Sequence, residues 1–312
     1  MTVPFVLLVV GALAAAMAPR LLSRADWPER EPVLALWVWQ CVVAAVLLCC
    51  AGAMALTASA AWSAVRGHMF AFAPRGVEDA YGLGGYGRWA GSVAVVLALG
   101  GIWTAAMLTR EVRAARARRR SRHEELRVRA PRLPGESVPV GERLVVLEDN
   151  RSDAWWLSGA EPQLVITTAA LRRLKGRQLD AVLAHEQGHA RARHDVLLHC
   201  AGALAGGFPQ VPVFAAFRDQ VHRLIELAAD DTASRRFGRL TTALALVELN
   251  ETRGVFGPGP TPLAELPGRV NRLLAPAPRL PLAQRVRLTA LSLLVPAVPL
   301  LITFGPGLHA LT

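Results

Sequence analysis

The sequence is poor in charged residues, in lysine and in paired cysteines, which are typical of soluble or disulfide-linked proteins. Charged residues make up only 19% of the 312 residues, and the single lysine is Lys175, so the formal net charge of +11 comes from arginine. None of the cysteines forms a CxxC pair, and three of them lie within one apolar run; they are Cys41, Cys49, Cys50 and Cys200. This scarcity argues against a cysteine metal site and against a disulfide framework.

Long apolar runs are abundant instead. Hydrophobic residues make up 53% of the chain, above the roughly 45–50% of a typical soluble domain. No Lys or Arg precedes Arg20, which favours a retained first helix over the alternative, a signal peptide. We therefore predict a multi-pass α-helical membrane protein whose spans, each of about 17–25 residues, are the four runs Thr2–Pro19, Val33–Ala58, Trp89–Met107 and Leu288–Phe304.

An arginine-rich segment follows the third run and carries ten arginines between Arg110 and Arg132. A nucleic-acid site is the alternative, but the segment lacks interleaved aromatics and adjoins an apolar run, so we expect contact with the lipid bilayer and no direct nucleic-acid binding. The segment predicts that residues 110–287 lie in the cytoplasm and that both termini lie outside. Heavy use of Ala and Arg with little Lys indicates a GC-rich bacterial genome, so we expect the membrane to be a bacterial cell membrane.

Between the third and fourth runs the pattern becomes that of a mixed α and β region. The segments ERLVVLED, SDAWWLSG and PQLVITT are typical of short strands separated by turns. Helical spacing then predicts one long helix over residues 169–204, a second over 213–237 that stops before Gly238, and a third over 240–248. Residues 196–217 are apolar but interrupted, so we interpret them as helix core or a membrane-skimming surface.

Within the predicted long helix, the segment VLAHEQGHARARHD holds a His-Glu-x-x-His motif, formed by His185, Glu186 and His189. Residues four apart lie on one face of a helix, so the two imidazoles can reach one ion while Glu186 lies beside it. A catalytic zinc takes three protein ligands and leaves one position open. The motif therefore needs a third ligand from elsewhere in the chain.

The following helix offers candidates in the segment HRLIELAADD, where Glu226 and Asp230 lie four residues apart. Antiparallel packing would bring Glu226 to the histidines, and Asp230 would accept a hydrogen bond from a ligand imidazole. Two alternatives stay open: the acids are simply solvated, or His222 is a rival ligand or an oxyanion-stabilising group.

Together with the apolar runs, these motifs resemble the BlaR/MecR type of integral-membrane metallopeptidase, a gluzincin related to HtpX and to the CAAX prenyl proteases. The resemblance covers residues 143–275 and includes a later LPGRVNRLL segment. It implies an α+β, mainly helical, zinc protease domain. It also implies roles for individual residues: zinc ligands His185, His189 and Glu226, general base Glu186, and Asp230 as hydrogen-bond partner of a ligand.

The chain departs from this pattern in two places. These families place Asp five residues after the second motif histidine, whereas here His194 holds that position and Asp195 follows. Only a short tail follows the last apolar run, so we expect no extracellular penicillin-binding sensor domain.

The chemistry that the resemblance implies is peptide hydrolysis, with Zn²⁺ and Glu186 activating water. A protease binds its substrate extended, and SDAWWLSG is a candidate edge strand that would contact substrate through Ala154, Trp155 and Trp156. An ordinary packed strand is the alternative.

Three functions are compatible with the sequence. The first is regulated proteolysis of a cytoplasmic or membrane protein, such as a winged-helix transcriptional repressor in a signalling pathway. The second is HtpX-like quality control of membrane proteins, and the third is a catalytically silent membrane scaffold. The expected domains are 1–109 (three transmembrane helices), 110–132 (arginine-rich segment), 133–287 (cytoplasmic zinc metalloprotease) and 288–312 (fourth transmembrane helix and tail).

Overall fold

A computed structural model of the chain describes residues 3–74, 76–83, 89–129, 143–157, 163–250, 265–275 and 277–311. The last three residues of the predicted arginine-rich segment, 130–132, lie outside this part. In chain order the elements are α1 (Val3–Ser23), α2 (Trp27–Arg30), α3 (Pro32–Ala61), α4 (Ser63–Met69), α5 (Val77–Ala80), α6 (Trp89–Arg129), β1 (Arg143–Leu147), β2 (Ala154–Leu157), β3 (Gln163–Thr167), α7 (Thr168–Arg173), α8 (Arg177–Arg191), α9 (His194–Gly207), α10 (Pro212–Phe237), α11 (Arg239–Asn250), α12 (Leu266–Leu274) and α13 (Leu282–His309).

The chain divides into two compact units. The apolar unit comprises Met1–Thr109, Ala201–Gln220 and Leu280–Thr312, and the motif unit, which contains the His-Glu-x-x-His motif, comprises Arg110–Cys200 and Val221–Arg279. Within the described residues, four helices are long and apolar enough to cross a membrane: α1, α3, α6 and α13. They coincide with the four predicted runs, and the mainly helical character of the chain is confirmed.

Close packing in the apolar unit fixes the relative direction of its helices. Near the beginnings of α3 and α13, Glu31 and Arg285 approach to 3.5 Å. Further along both helices, a Cβ added at Gly52 would lie 2.6 Å from Oγ1 of Thr303. The two helices therefore run parallel, with small residues allowing close approach, as is common between membrane helices.

The hairpin formed by residues 201–220, which joins α9 to α10, also belongs to the apolar unit. Nε1 of Trp103 in α6 donates a hydrogen bond to the carbonyl oxygen of Gly207 at 2.8 Å. Phe217 packs against Trp39 of α3, with ring centroids 6.4 Å apart. The hairpin thus contacts helices that are themselves candidate membrane spans.

The motif unit contains a three-stranded sheet in the order β1-β3-β2. The pairing of β1 with β3 is parallel and that of β2 with β3 antiparallel, with Trp155 opposite Val165. All five residues of β3 are buried, as expected for the central strand. Ala154 of β2 packs in one core with Ala181 and Val182 of α8, so the sheet supports the helix that bears the His-Glu-x-x-His motif.

The prediction of one long helix over residues 169–204 is wrong, because the chain forms three helices there. The first break lies at Gly176, whose φ is +52°, and the second at Arg193, whose φ is +50°. A left-handed residue cannot continue a right-handed helix, and glycine adopts this conformation easily whereas arginine rarely does. The prediction for the second helix is accurate: α10 ends at Phe237, before Gly238 with φ +88°.

Candidate active site

The two helices that carry the candidate ligands, α8 and α10, lie close together at Gly188. Gly188 is buried within the His-Glu-x-x-His motif, and a Cβ added there would lie 3.5 Å from the Cα of Ala229 and 3.4 Å from the Cβ of Thr232. A side chain larger than a methyl group would push the helices apart. The small residue therefore lets α10 bring its acidic side chains to the motif.

Three side chains converge at this contact. Nε2 of His185 and Nε2 of His189 are 3.2 Å apart. Glu226 places one carboxylate oxygen 3.7 Å from Nε2 of His185 and the other 3.5 Å from Nε2 of His189. Within the described part of the chain, this is the one group of three or more His, Cys, Asp or Glu residues that brings ligand atoms this close together.

These distances fit the coordination shell of a zinc ion. Ligands held tetrahedrally at 2.0–2.1 Å from zinc lie about 3.3 Å from one another. The two Nε2 atoms are 3.2 Å apart, and each lies 3.5 or 3.7 Å from a different oxygen of Glu226, so the contacts among the three side chains scatter around that value. Two imidazoles and a carboxylate also match the donor set of catalytic zinc sites, which leave a fourth position open.

Behind the ligands lies a buried ion-pair network centred on Arg269 of α12. Arg269 donates two hydrogen bonds to Asp230, at 2.8 and 2.7 Å, and a third to Glu226 at 2.7 Å. Asp230 in turn lies 3.1 Å from Nδ1 of His185. The side chains of Arg269 and Asp230 are 3% and 1% exposed, so the network is shielded from solvent and held by short charge-assisted bonds.

The network determines the charges in the cluster. Burial alone would raise the pKa of Asp230 and of Glu226, but Arg269 lowers both, that of Asp230 far below its usual range. Burial lowers the pKa of His189 to about 3, assisted by His185. Burial also lowers the pKa of His185, but the hydrogen bond to Asp230 and the charges of the surrounding carboxylates together outweigh burial, so the pKa of His185 is raised. The two carboxylates are therefore ionised at neutral pH and His189 is neutral, the states that bind a cation.

A fourth histidine, His194, lies on the other side of His189. Its ring contacts the His189 ring edge-on, with centroids 4.9 Å apart, and the two Nδ1 atoms are 2.9 Å apart. His194 is buried, and burial lowers its pKa to about 4. The following residue, Asp195, forms an ion pair with Arg119 of α6. The structure thus places His194, rather than Asp195, against a candidate ligand.

A cleft lies beside the cluster. His185, Glu186, Glu226, Asp230 and Arg269 line one part of it, and apolar residues from α8 and α11 line the rest: Ala181, Val182, Ala245, Leu246 and Leu249. Glu186 therefore lines the same cleft as two of the candidate ligands, His185 and Glu226.

The other residues that the sequence predicted for the site lie outside the three-residue cluster. Trp155 packs on one face of the sheet with Val145 and Leu147, and Ala154 packs on the other face against α8. Among the described residues β2 pairs with β3 alone, so its second edge is available to another strand. His222 is exposed on α10 and does not belong to the three-residue cluster.

Two residues of this site, Arg269 and His194, have no role that the sequence predicts. Arg269 lies in the LPGRVNRLL segment, 39 residues after Asp230, and spacing gives no sign that a distant arginine pairs with these acids. His194 contacts His189 because of the break at Arg193, which helical periodicity does not predict. For Arg269, its place in a segment that the resembled families carry was the available signal.

Comparisons with known proteins agree with this geometry. Residues 114–273, slightly more than half of the chain, match the sequence model of peptidase family M48. Over 91 residues the chain is 34% identical to the plastoglobule-localized metallopeptidase 48, chloroplastic, of Arabidopsis thaliana, an alignment that covers 29% of this chain and 24% of that protein. The matched region thus spans about a quarter of the relative's length. No solved structure matches. The chain belongs to peptidase family M48.

Proposed function

We propose that the chain is a membrane-embedded zinc endopeptidase in which His185, His189 and Glu226 hold the ion and Glu186 is the general base. The observation that carries this proposal is the convergence of the three side chains, whose Nε2 and carboxylate oxygen atoms approach one another at 3.2–3.7 Å. Glu186 lines the same cleft, as hydrolysis requires.

The residues of the site suffice for peptide hydrolysis. A zinc ion, when bound, supplies Lewis acidity to the attacking water and to the scissile carbonyl. Glu186 accepts a proton from that water and then passes it to the leaving amine. Asp230 accepts a hydrogen bond from Nδ1–H of His185, which leaves Nε2 of His185 directed at the ion.

Substrate binding is proposed to use the free edge of β2. An extended peptide adds to such an edge through backbone hydrogen bonds. The contact of Ala154 with α8 places this strand next to the motif helix, which supports the proposal that Ala154, Trp155 and Trp156 contact substrate. The alternative, that β2 only completes the packed sheet, is tested by turnover of a Trp156→Ala variant.

The zinc site is tested by metal analysis of the purified chain. We expect about one zinc ion per chain, as in other catalytic sites of this kind. His189→Ala and Glu226→Ala remove a ligand and should each lose most of the zinc. The matched control is His222→Ala, an exposed histidine of the same helix as Glu226. If His222→Ala loses the zinc and Glu226→Ala keeps it, the third ligand is misassigned.

For the substrate, we propose a cytoplasmic or membrane protein. The BlaR/MecR-like combination of apolar runs with the motif region supports a transcriptional repressor in a bacterial signalling pathway. HtpX-like quality control of membrane proteins is the alternative. Quantitative proteomics of a wild-type strain and a Glu186→Gln strain separates them: accumulation of a single DNA-binding protein supports regulated proteolysis, whereas accumulation of many membrane proteins supports quality control.

A further inference from the structure

His194 contacts the candidate metal site from outside the ligand set. It is 5% exposed, and its Nδ1 lies 2.9 Å from Nδ1 of His189. The other ring nitrogen of His189, Nε2, is the one near His185 and Glu226. His194 and the metal position therefore lie on opposite sides of the His189 ring.

A turn of the backbone between α8 and α9 allows His194 to contact His189. In an uninterrupted helix, residues five apart point about 140° away from each other around the axis. Here α8 ends at Arg191, and Arg193 adopts φ +50°, so that α9 starts in a new direction with His194 as its first residue. The turn is closed by a hydrogen bond from the N–H of Arg193 to the carbonyl oxygen of Ala190 at 3.2 Å. A left-handed arginine is an uncommon conformation, and its result is that the His194 ring contacts the His189 ring.

The proton on His189 determines the direction of the hydrogen bond. An imidazole that offers the lone pair of Nε2 to an ion carries its proton on Nδ1. We propose that His194 is a positioning residue of the metal site, whose Nδ1 accepts the hydrogen bond donated by Nδ1–H of His189. This inference rests on the metal role proposed above for His189. The proton of neutral His194 is then on its own Nε2.

The two ligand histidines are consequently held by different partners. Asp230, a buried carboxylate, lies 3.1 Å from Nδ1 of His185. The partner of His189 is an imidazole, which fixes the ring orientation without adding a negative charge to a cluster that already holds Glu226 and Asp230. A hydrogen-bond partner of a ligand imidazole typically contributes 10–100-fold to metal affinity. His194 should contribute by the same route.

Two substitutions of similar shape at His194 distinguish the effect of the hydrogen bond from the effect of packing. His194→Asn retains an acceptor oxygen near the position of Nδ1, whereas His194→Leu fills the space without an acceptor. Zinc affinity is measured on the full chain in detergent by competition with a chromophoric chelator, and ligand geometry by the absorption spectrum of the cobalt-substituted protein. His189→Ala is the control for loss of the metal, and His222→Leu is the control for its retention.

We expect His194→Leu to weaken zinc binding by about 10–100-fold and to alter the cobalt spectrum, and His194→Asn to stay close to wild type. Equal affinity of the Leu variant and wild type would overturn the positioning role. Equal loss in both variants would also overturn it, because the volume of the ring would then matter and its acceptor would not. If the wild type binds no zinc, or if His189→Ala retains it, the proposed metal site itself fails.

A measurement on the unaltered chain does not depend on whether the variants fold. Nitrogen-15 magnetic resonance of histidine-labelled, zinc-loaded protein distinguishes the two neutral tautomers of each ring. The proposal requires the proton of His189 on Nδ1 and that of His194 on Nε2. A proton on Nδ1 of His194 contradicts it.

Discussion

At the scale of single residues, the candidate site depends on a positively charged side chain outside the His-Glu-x-x-His motif, that of Arg269. Arg269 is 3% exposed and binds both Asp230 and Glu226, so its single positive charge offsets the repulsion between the two carboxylates. Removing one partner of a buried pair leaves an uncompensated charge, which typically costs about 3–5 kcal/mol of stability. Arg269 therefore stabilises the ligand geometry before any metal binds.

Arg269→Met is accordingly expected to lower the free energy of unfolding of the zinc-free chain by about 3–5 kcal/mol. Chemical denaturation in detergent, followed for the zinc-free and zinc-loaded forms, measures the effect. The loss should be smaller with zinc, because the ion also neutralises Glu226.

The matched control is Arg272→Met, since Arg272 forms a neighbouring pair between the same two helices, 2.8 Å from Asp231, whose side chains are 17% and 18% exposed. A more solvated pair contributes less, up to about 1 kcal/mol when fully exposed. Equal losses for the two variants would show that Arg269 has no special role in the cluster.

The sequence predicts only part of the site at this scale. The relation of His185 to His189 and of Glu226 to Asp230 follows from helix geometry, since residues four apart share a face. The contacts of Arg269 and His194 depend on the placement of α12 and on the backbone turn at Arg193, and neither is encoded by local spacing. Both contacts therefore depend on the tertiary structure and could not be predicted from spacing in the sequence.

At the scale of elements, the strands and the bounds of α10 and α11 agree with the sequence patterns, and the long helix does not. The break at Gly176 had a visible signal, a glycine within a helical pattern. The break at Arg193 had none, because arginine is an ordinary helix former. The pairing of α8 with α10 depends on a further glycine, Gly188, whose position faces the backbone of Ala229.

Substitutions of two sizes at Gly188 test the packing of α8 against α10. A methyl group fits at ordinary contact distance, so Gly188→Ala should retain zinc, whereas Gly188→Leu should separate α10 from α8 and lose most of it. The measurement is the zinc content of the purified variants. Gly202→Leu in α9 is the control, because an added Cβ there meets no atom within 4 Å. Zinc retained by Gly188→Leu would contradict the packing described here.

At the scale of the whole molecule, the predicted topology concerns the four helices that are long and apolar enough to cross a membrane. If all four cross the membrane, the parallel direction of α3 and α13 requires α6 to return the chain between them. The described part of the arginine-rich segment continues α6 without a break as far as Arg129. This arrangement supports the predicted topology, with both termini on the side opposite to residues 110–287.

Reporter fusions test that topology. A reporter active only outside the cytoplasm should be active when fused at Phe72, which is fully exposed between α4 and α5, and at the C-terminus, and inactive at Gly135. The physical reason is that a run of arginines resists translocation. Activity at Gly135 and at the C-terminus together would mean that the number of spans is wrong.

The most direct test of the central claim, that this site hydrolyses peptide bonds with Glu186 as general base, is zinc content and substrate turnover of Glu186→Gln measured in one preparation. The amide keeps the shape of the side chain but cannot accept a proton from the attacking water, a function that contributes about 10²–10⁴-fold to rate. The account predicts zinc retained at the wild-type level and turnover reduced at least by that factor. Full turnover with zinc in place would contradict it.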